Sequence, residues 1–217
     1  HTFSAGYREN EFDEILRYSN HIIFNSFSQL DKYREKALEA GRKIGLRVNP
    51  ECSTQEGHEI YDPCSPSSRL GITLKNFRSD DLKGVTGLHF HTLCEQNSDD
   101  LEKTLDAVEE KFGKYLKNME WINFGGGHHI TRSDYDIPRL ERCIRRMQEK
   151  YNLEVFLEPG EAFALNAGYL ITKVLDITGN DMPIAILDTS ASCHMPDVLE
   201  MPYRPPLRHS GKRNEKK

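Results

Sequence analysis

The chain has no pair of cysteines in CxxC spacing. Its five cysteines (Cys52, Cys64, Cys94, Cys143 and Cys193) are odd in number and irregularly placed. That argues against a secreted disulfide scaffold or a structural zinc site and points to a reducing cytoplasm. No run approaches the roughly 20 apolar residues of a membrane span, and no signal-peptide pattern opens the chain. A basic excess is missing too. The formal charge of −5 has the wrong sign for a general nucleic-acid or anionic-membrane binder. Methionine is absent from the first position: His1 starts a strand-like run to Gly6, and a basic tail ends the chain behind a Pro-rich stretch. We read the sequence as a piece of a longer protein, lacking residues at both ends. What remains, 217 residues with 37% hydrophobic and 29% charged, is ample for a buried core.

Short β runs alternate with helical stretches. Strands are predicted at Ile22–Ser26, Ile44–Asn49, Leu88–Leu93, Trp121–Phe124 and Val155–Leu157. Helices are predicted from Glu11, over Ser28–Gly41, over Asp99–Leu116 and over Asp136–Tyr151. The third carries Leu101, Leu105, Val108, Phe112 and Leu116 at helical spacing, and Pro138 stands near the start of the fourth, where a missing N–H costs nothing. Residues 51–68 show no period and read as a long loop of the kind that serves a site. This alternation predicts an α/β fold with a parallel sheet, either doubly wound or an eight-fold barrel. From about Leu170 the rhythm changes. Leu170–Ile177 and Ile184–Leu187 are β-rich without a helix between them, a hairpin that suggests the start of an antiparallel domain.

Unusual residues gather at the predicted strand ends, where a barrel places its chemistry: Arg47-Val48-Asn49-Pro50, His89-Phe90-His91-Thr92-Leu93-Cys94, Gly125-Gly126-Gly127-His128-His129 and Glu158-Pro159-Gly160-Glu161. Three bare glycines let backbone N–H groups approach a phosphate, although a tight turn needs glycine as well. His89 and His91 share a face of a strand by its period of two; they read either as a metal pair or as one functional imidazole beside a lining residue. Glu158, extended before its proline, could bind a metal, act as a base or pair with a protonated ring nitrogen. Asp197 follows a proline as a binding carboxylate for a cation. The neighbours Cys193 and His194 are poorly spaced for a dyad.

Together the stretches His-Phe-His-Thr-Leu-Cys-Glu, Phe-Gly-Gly-Gly-His-His, Glu-Pro-Gly-Glu-Ala and Leu-Asp-Thr-Ser-Ala-Ser-Cys-His-Met-Pro-Asp resemble the fold-type III pyridoxal-phosphate decarboxylases. Within that alanine-racemase-like family they resemble the carboxynorspermidine (carboxyspermidine) decarboxylase branch, over nearly the whole chain up to about Arg208. The resemblance implies a partial (β/α)8 TIM-type barrel over residues 1–167 and the start of a C-terminal antiparallel β-domain over 168–217. It also implies a pyridoxal 5'-phosphate cofactor, a carboxylated polyamine substrate and a homodimer sharing its sites. His91 would stack on the pyridine ring, Gly125, Gly126 and Gly127 would hold the phosphate through their N–H groups, and Glu158 would pair with the ring nitrogen. Where ornithine decarboxylase carries an arginine after Glu-Pro-Gly, this chain has Glu161, so Glu161 and Asp197 are assigned to the cationic substrate. The family's Schiff-base lysine would lie upstream of His1, and its cysteine-bearing C-terminal motif beyond Lys217, so this chain alone is expected to be inactive. The competing readings are a barrel metallohydrolase using His89 and His91, and a non-catalytic barrel that only binds pyridoxal phosphate.

Overall fold

A computed structural model describes residues 1–55, 62–200 and 202–209. Part of the long loop and the terminal basic tail lie outside the described residues. The chain divides into two compact units, His1–Ala167 and Gly168–Lys217.

The first unit is built on six strands: β1 (Thr2–Ser4), β2 (His21–Phe24), β3 (Lys43–Arg47), β4 (Val85–His89), β5 (Trp121–Asn123) and β6 (Glu154–Phe156). They hydrogen-bond in sequence order, and every neighbouring pair is parallel. A doubly wound sheet reverses its order at a switch point, whereas a barrel wall does not. Curvature confirms the barrel arc. In a flat sheet, β1 and β6 would stand roughly 24 Å apart, five strand spacings. Instead the rings of His1, just before β1, and Phe156, at the end of β6, lie 4.3 Å apart.

Helices cover the outer face. These are α1 (Phe12–Tyr18), α2 (Phe27–Glu39), α3 (Ser98–Leu116) and α4 (Ile137–Tyr151), with the short α5 (Gly160–Ala164) after β6. Capping explains where the longer ones begin. Ser26, Asn97 and Asp136 each accept a backbone N–H of the first turn, worth about 1 kcal/mol per cap. Alternation along the strands then sorts the side chains. Ile22, Phe24, Ile44, Leu46, Leu88 and Ile122 join the helix residues Leu30, Leu105, Val108 and Phe112 in one core.

The alternate residues face inward and form rows. The lower row is led by Trp121, whose buried indole fills space left by Gly45 and Gly87; a Cβ on either glycine would overlap the ring. Register aligns Arg47 with His89, and His89 with Asn123, in the row above. That upper row leads into the loops at the strand C-termini.

In the first unit, β4 departs from the sequence expectation. β4 covers Val85–His89, not Leu88–Leu93. Gly87 is a strand residue because Trp121 occupies the place of its side chain. His91 therefore sits beyond the strand, and the period-two argument linking it to His89 does not apply.

The second unit holds an antiparallel hairpin, β7 (Val174–Asn180) and β8 (Met182–Leu187), reversing at Asp181 with φ +57°. β7 starts at Val174, later than Leu170; Leu187, the last residue of β8, pairs with Val174, and beyond it Asp188 closes the hairpin by donating its N–H to the Lys173 carbonyl and accepting the Lys173 N–H on its side chain. Two short helical turns follow, α6 (Ala191–His194) and α7 (Asp197–Glu200).

Candidate active site

The loops after β4, β5 and β6 bring the sequence-predicted residues of the first unit together. A Cβ built on Gly126 would lie 2.7 Å from the Glu158 carbonyl oxygen and 3.0 Å from Cε1 of His91. On Gly125, with φ +69°, it would lie 2.6 Å from the His91 Cβ, and on Gly127, with φ +81°, it would run into the backbone of Leu93 and Cys94. The glycines thus have a steric reason of their own: the β5 loop passes in direct contact with the β4 loop, and two of its residues hold left-handed backbone that disfavours other residues.

Their donors are not equivalent. The Gly125 N–H is spent on Asn123 Oδ1 at 2.8 Å, so it is not free for a phosphate. Among the described residues, the N–H groups of Gly126 and Gly127 reach no protein acceptor. Gly126 is buried. Buried N–H groups without acceptors are rare and costly, and successive free N–H groups in such a turn form an anion-binding concavity.

Glu158 is held from both oxygens. Oε1 accepts from Asn123 Nδ2 at 2.9 Å, and Oε2 lies 3.3 Å from His89 Nε2. Burial pushes its carboxyl up, but the hydrogen bonds from His89 and Asn123 outweigh this and hold it below the ordinary range. It is an anion at neutral pH, and its side chain keeps 36% of its surface open. His89 is fully buried, and burial depresses its imidazole despite the neighbouring acid. The neutral ring with its proton on Nε2 is the form that donates to Glu158.

His91 is likewise neutral. Burial first, and then the charge of Arg47, bring it down to about 4. Arg47 donates to the His91 carbonyl at 3.1 Å and stacks 4.4 Å above the Phe3 ring. His128, next to the glycines, is buried, and burial lowers it to about 4 although the backbone of Phe124 and Gly125 favours its protonated form.

Glu161, in the first turn of α5, faces His129 with its Oε1 3.5 Å from Nε2. Donor atoms of Glu95, His129 and Glu161 all lie within 4.8 Å of one another. Neither His89 nor His91 belongs to that trio. The metal-pair reading of the two histidines loses its basis, since His89 Nε2 is committed to Glu158 and no third ligand joins them among the described residues. The described end of the long loop reaches the same region, where Gln96 Nε2 donates to the Thr54 carbonyl at 2.7 Å.

Asp197 belongs to the second unit, where its Oδ2 accepts from Tyr203 at 2.7 Å. Cys193 and His194 do not pair. Ser190 and Ser192 hydrogen-bond to the exposed thiol and lower it, and His194 Nδ1 faces the Ser190 backbone. Sequence reasoning missed Asn123. Its signal was a polar side chain at an inward position of an otherwise apolar strand.

A neutral imidazole, two free N–H donors and an ionised carboxylate at the C-terminal ends of parallel strands fit a planar aromatic phosphate such as pyridoxal 5'-phosphate. The fold is that of an alanine-racemase-like β/α barrel. No protein-family model matches the chain. It is 47% identical over 203 residues to a carboxynorspermidine/carboxyspermidine decarboxylase of Campylobacter jejuni, covering 94% of this chain and 52% of that protein. A carboxyaminopropylagmatine decarboxylase of Synechocystis is 39% identical over 210 residues, covering 96% and 54%. The crystal structure of carboxynorspermidine decarboxylase from C. jejuni, complexed with norspermidine, superposes with a TM-score of 0.84 at 46% identity, covering 94% of this chain and 52% of that one. The chain is homologous to the carboxynorspermidine/carboxyspermidine decarboxylases, and it spans about half the length of these relatives.

Proposed function

We propose that this chain supplies the coenzyme-binding core of a pyridoxal-phosphate-dependent decarboxylase that converts carboxynorspermidine or carboxyspermidine to norspermidine or spermidine. The observation that carries the reading is the meeting of His91, Gly126 and Glu158 at one point between three strand ends. When bound, pyridoxal phosphate supplies an electron-poor ring that takes up the electron pair left as the α-carboxylate departs as CO2. Glu158, ionised and fixed at both oxygens, holds a proton on the ring nitrogen. The Gly126 and Gly127 N–H groups take the phosphate, and His91 offers the flat face of an uncharged ring.

Glu161 receives an ammonium of the polyamine, and Glu95 beside it adds a second carboxylate to the same corner. Asp197, in the second unit, is read as a carboxylate for a cationic group. In this reading residues 1–167 are the coenzyme-binding part of the barrel and residues 168–217 begin the β-domain. Lys43, the strand lysine of the described barrel, stands at the start of β3 and pairs with Glu120, so the lysine that anchors the coenzyme comes from elsewhere in the full-length protein. The working enzyme is a cytoplasmic homodimer. Among the described residues no helix is long and apolar enough to cross a membrane.

The test is CO2 release by the full-length protein, with and without pyridoxal phosphate, from carboxynorspermidine, carboxyspermidine and carboxyaminopropylagmatine. Coenzyme-dependent release from either of the first two supports the proposal. Release that ignores the coenzyme, or that occurs only from the third, overturns it.

A further inference from the structure

We infer that Asn123 is a positioning residue that, with one side-chain amide, ties the acid Glu158 to the glycine turn and so fixes how the acid meets the coenzyme ring. The inference rests on the pyridoxal-phosphate reading of the site. Asn123 ends β5 and is completely buried. Its Nδ2 donates to Glu158 Oε1 at 2.9 Å and lies 2.9 Å from Nδ1 of His1, while its Oδ1 accepts from the Gly125 N–H at 2.8 Å. Chemistry dictates which way the amide points. A carboxylate cannot donate and a backbone N–H cannot accept, so the NH2 must face Glu158 and the oxygen must face Gly125.

One amide hydrogen and one oxygen lone pair are therefore committed, and the group cannot flip without losing both bonds. Because Oε2 of Glu158 is met by His89, the Asn123 contact at Oε1 is what sets the plane of the carboxylate. The same amide holds the first glycine of the turn whose next two N–H groups are free. A single residue thereby sets the acid and the turn in one frame.

Asn123→Asp separates the two connections. The aspartate keeps an oxygen for the Gly125 N–H, but it presents a second carboxylate to Glu158 in place of a donor. Full-length apoenzyme would be titrated with pyridoxal phosphate and with its 1-deaza analogue, in which C–H replaces the ring nitrogen, and the ratio of the two Kd values compared. That ratio reports recognition of the ring nitrogen; general damage to the site weakens both ligands and leaves it unmoved. Asn123→Asp should reduce the preference for pyridoxal phosphate by about tenfold, the size of one charge-assisted hydrogen bond, and Asn123→Ser gives a second variant should the aspartate fail to fold. Glu158→Gln serves as the reference. If that variant loses the preference while both Asn123 variants retain it, the positioning role is wrong and the reading of the site survives. If the wild-type protein shows no preference at all, both fall together.

Discussion

Gly126 and Glu158 approach so closely that a Cβ on the glycine would lie 2.7 Å from the acid's carbonyl oxygen. That oxygen belongs to the backbone and is itself tied down, accepting from the Gly160 N–H at 2.8 Å, so it cannot swing aside as a long side chain could. On the other contact, the His91 imidazole could rotate away, but only by leaving the place proposed for ring stacking.

Gly126→Ala is therefore expected to separate β5 and β6 at the site. Overpacking of this kind costs about 1–3 kcal/mol, visible as a lower denaturant midpoint of the apoenzyme. Pyridoxal phosphate should bind the variant at least tenfold more weakly. Unchanged stability and affinity would show that the loops adjust freely and that their contact is incidental.

A second prediction concerns the barrel interior below the site. Gly87 has no room for a methyl group because the Trp121 indole lies across it, held by a hydrogen bond from Nε1 to Thr86 Oγ1 at 3.0 Å. Gly87→Ala should destabilise by about 1–3 kcal/mol. Trp121→Phe, which destabilises by itself, should cost less in the Gly87→Ala background, since the smaller ring makes room for the methyl. A double-mutant cycle with no coupling energy would contradict the packing.

A parallel sheet was legible in the alternation of β runs with helices, though not whether it was doubly wound or a barrel, and the chemistry-bearing residues could be found because they stand at strand ends. Less local relationships could not be read. Asn123 and Glu158 are 35 residues apart and His89 and Glu158 are 69 apart; only the strand order and register join them. The place of Gly87 inside β4 could not be read either, because its reason lies on β5, in the volume of Trp121. The use of the Gly125 N–H by Asn123 is equally invisible without geometry. Three successive glycines look like three equal phosphate donors until one donor is seen to be taken.

Acid should weaken the fold in a defined window. His91 and His128 are lowered to about 4 from an ordinary value near 6.5, in each case chiefly by burial. Between those values the unfolded chain binds protons that the folded chain does not, so stability falls as pH drops from about 6.5 to about 4. Each histidine contributes a slope of up to about 1.4 kcal/mol per pH unit. Glu158, whose carboxyl is held low, adds a loss of stability further down, as pH falls through its folded value. Denaturant midpoints measured from pH 7.5 to pH 4.5 check this. His128→Asn, which removes one titrating ring, should flatten the dependence, and a stability independent of pH across the window would contradict the burial of both imidazoles.

Glu161 distinguishes a substrate contact from a structural one. Its side chain is 38% exposed and faces His129 at 3.5 Å, with Glu95 in the same corner. If the carboxylate serves only His129, Glu161→Gln should change stability and leave the kinetics alone. If it receives a substrate ammonium, the full-length variant loses a charge-assisted hydrogen bond worth about 1.5–3 kcal/mol. KM for the carboxylated polyamine should then rise by at least tenfold. Because that ammonium lies away from the bond being broken, it is bound equally before and during the chemical step, and kcat should hardly change. Added salt should narrow the gap between wild type and variant, as screening weakens what remains of the attraction. A KM within about twofold of wild type would remove Glu161 from the substrate site and leave the contact with His129 as its role.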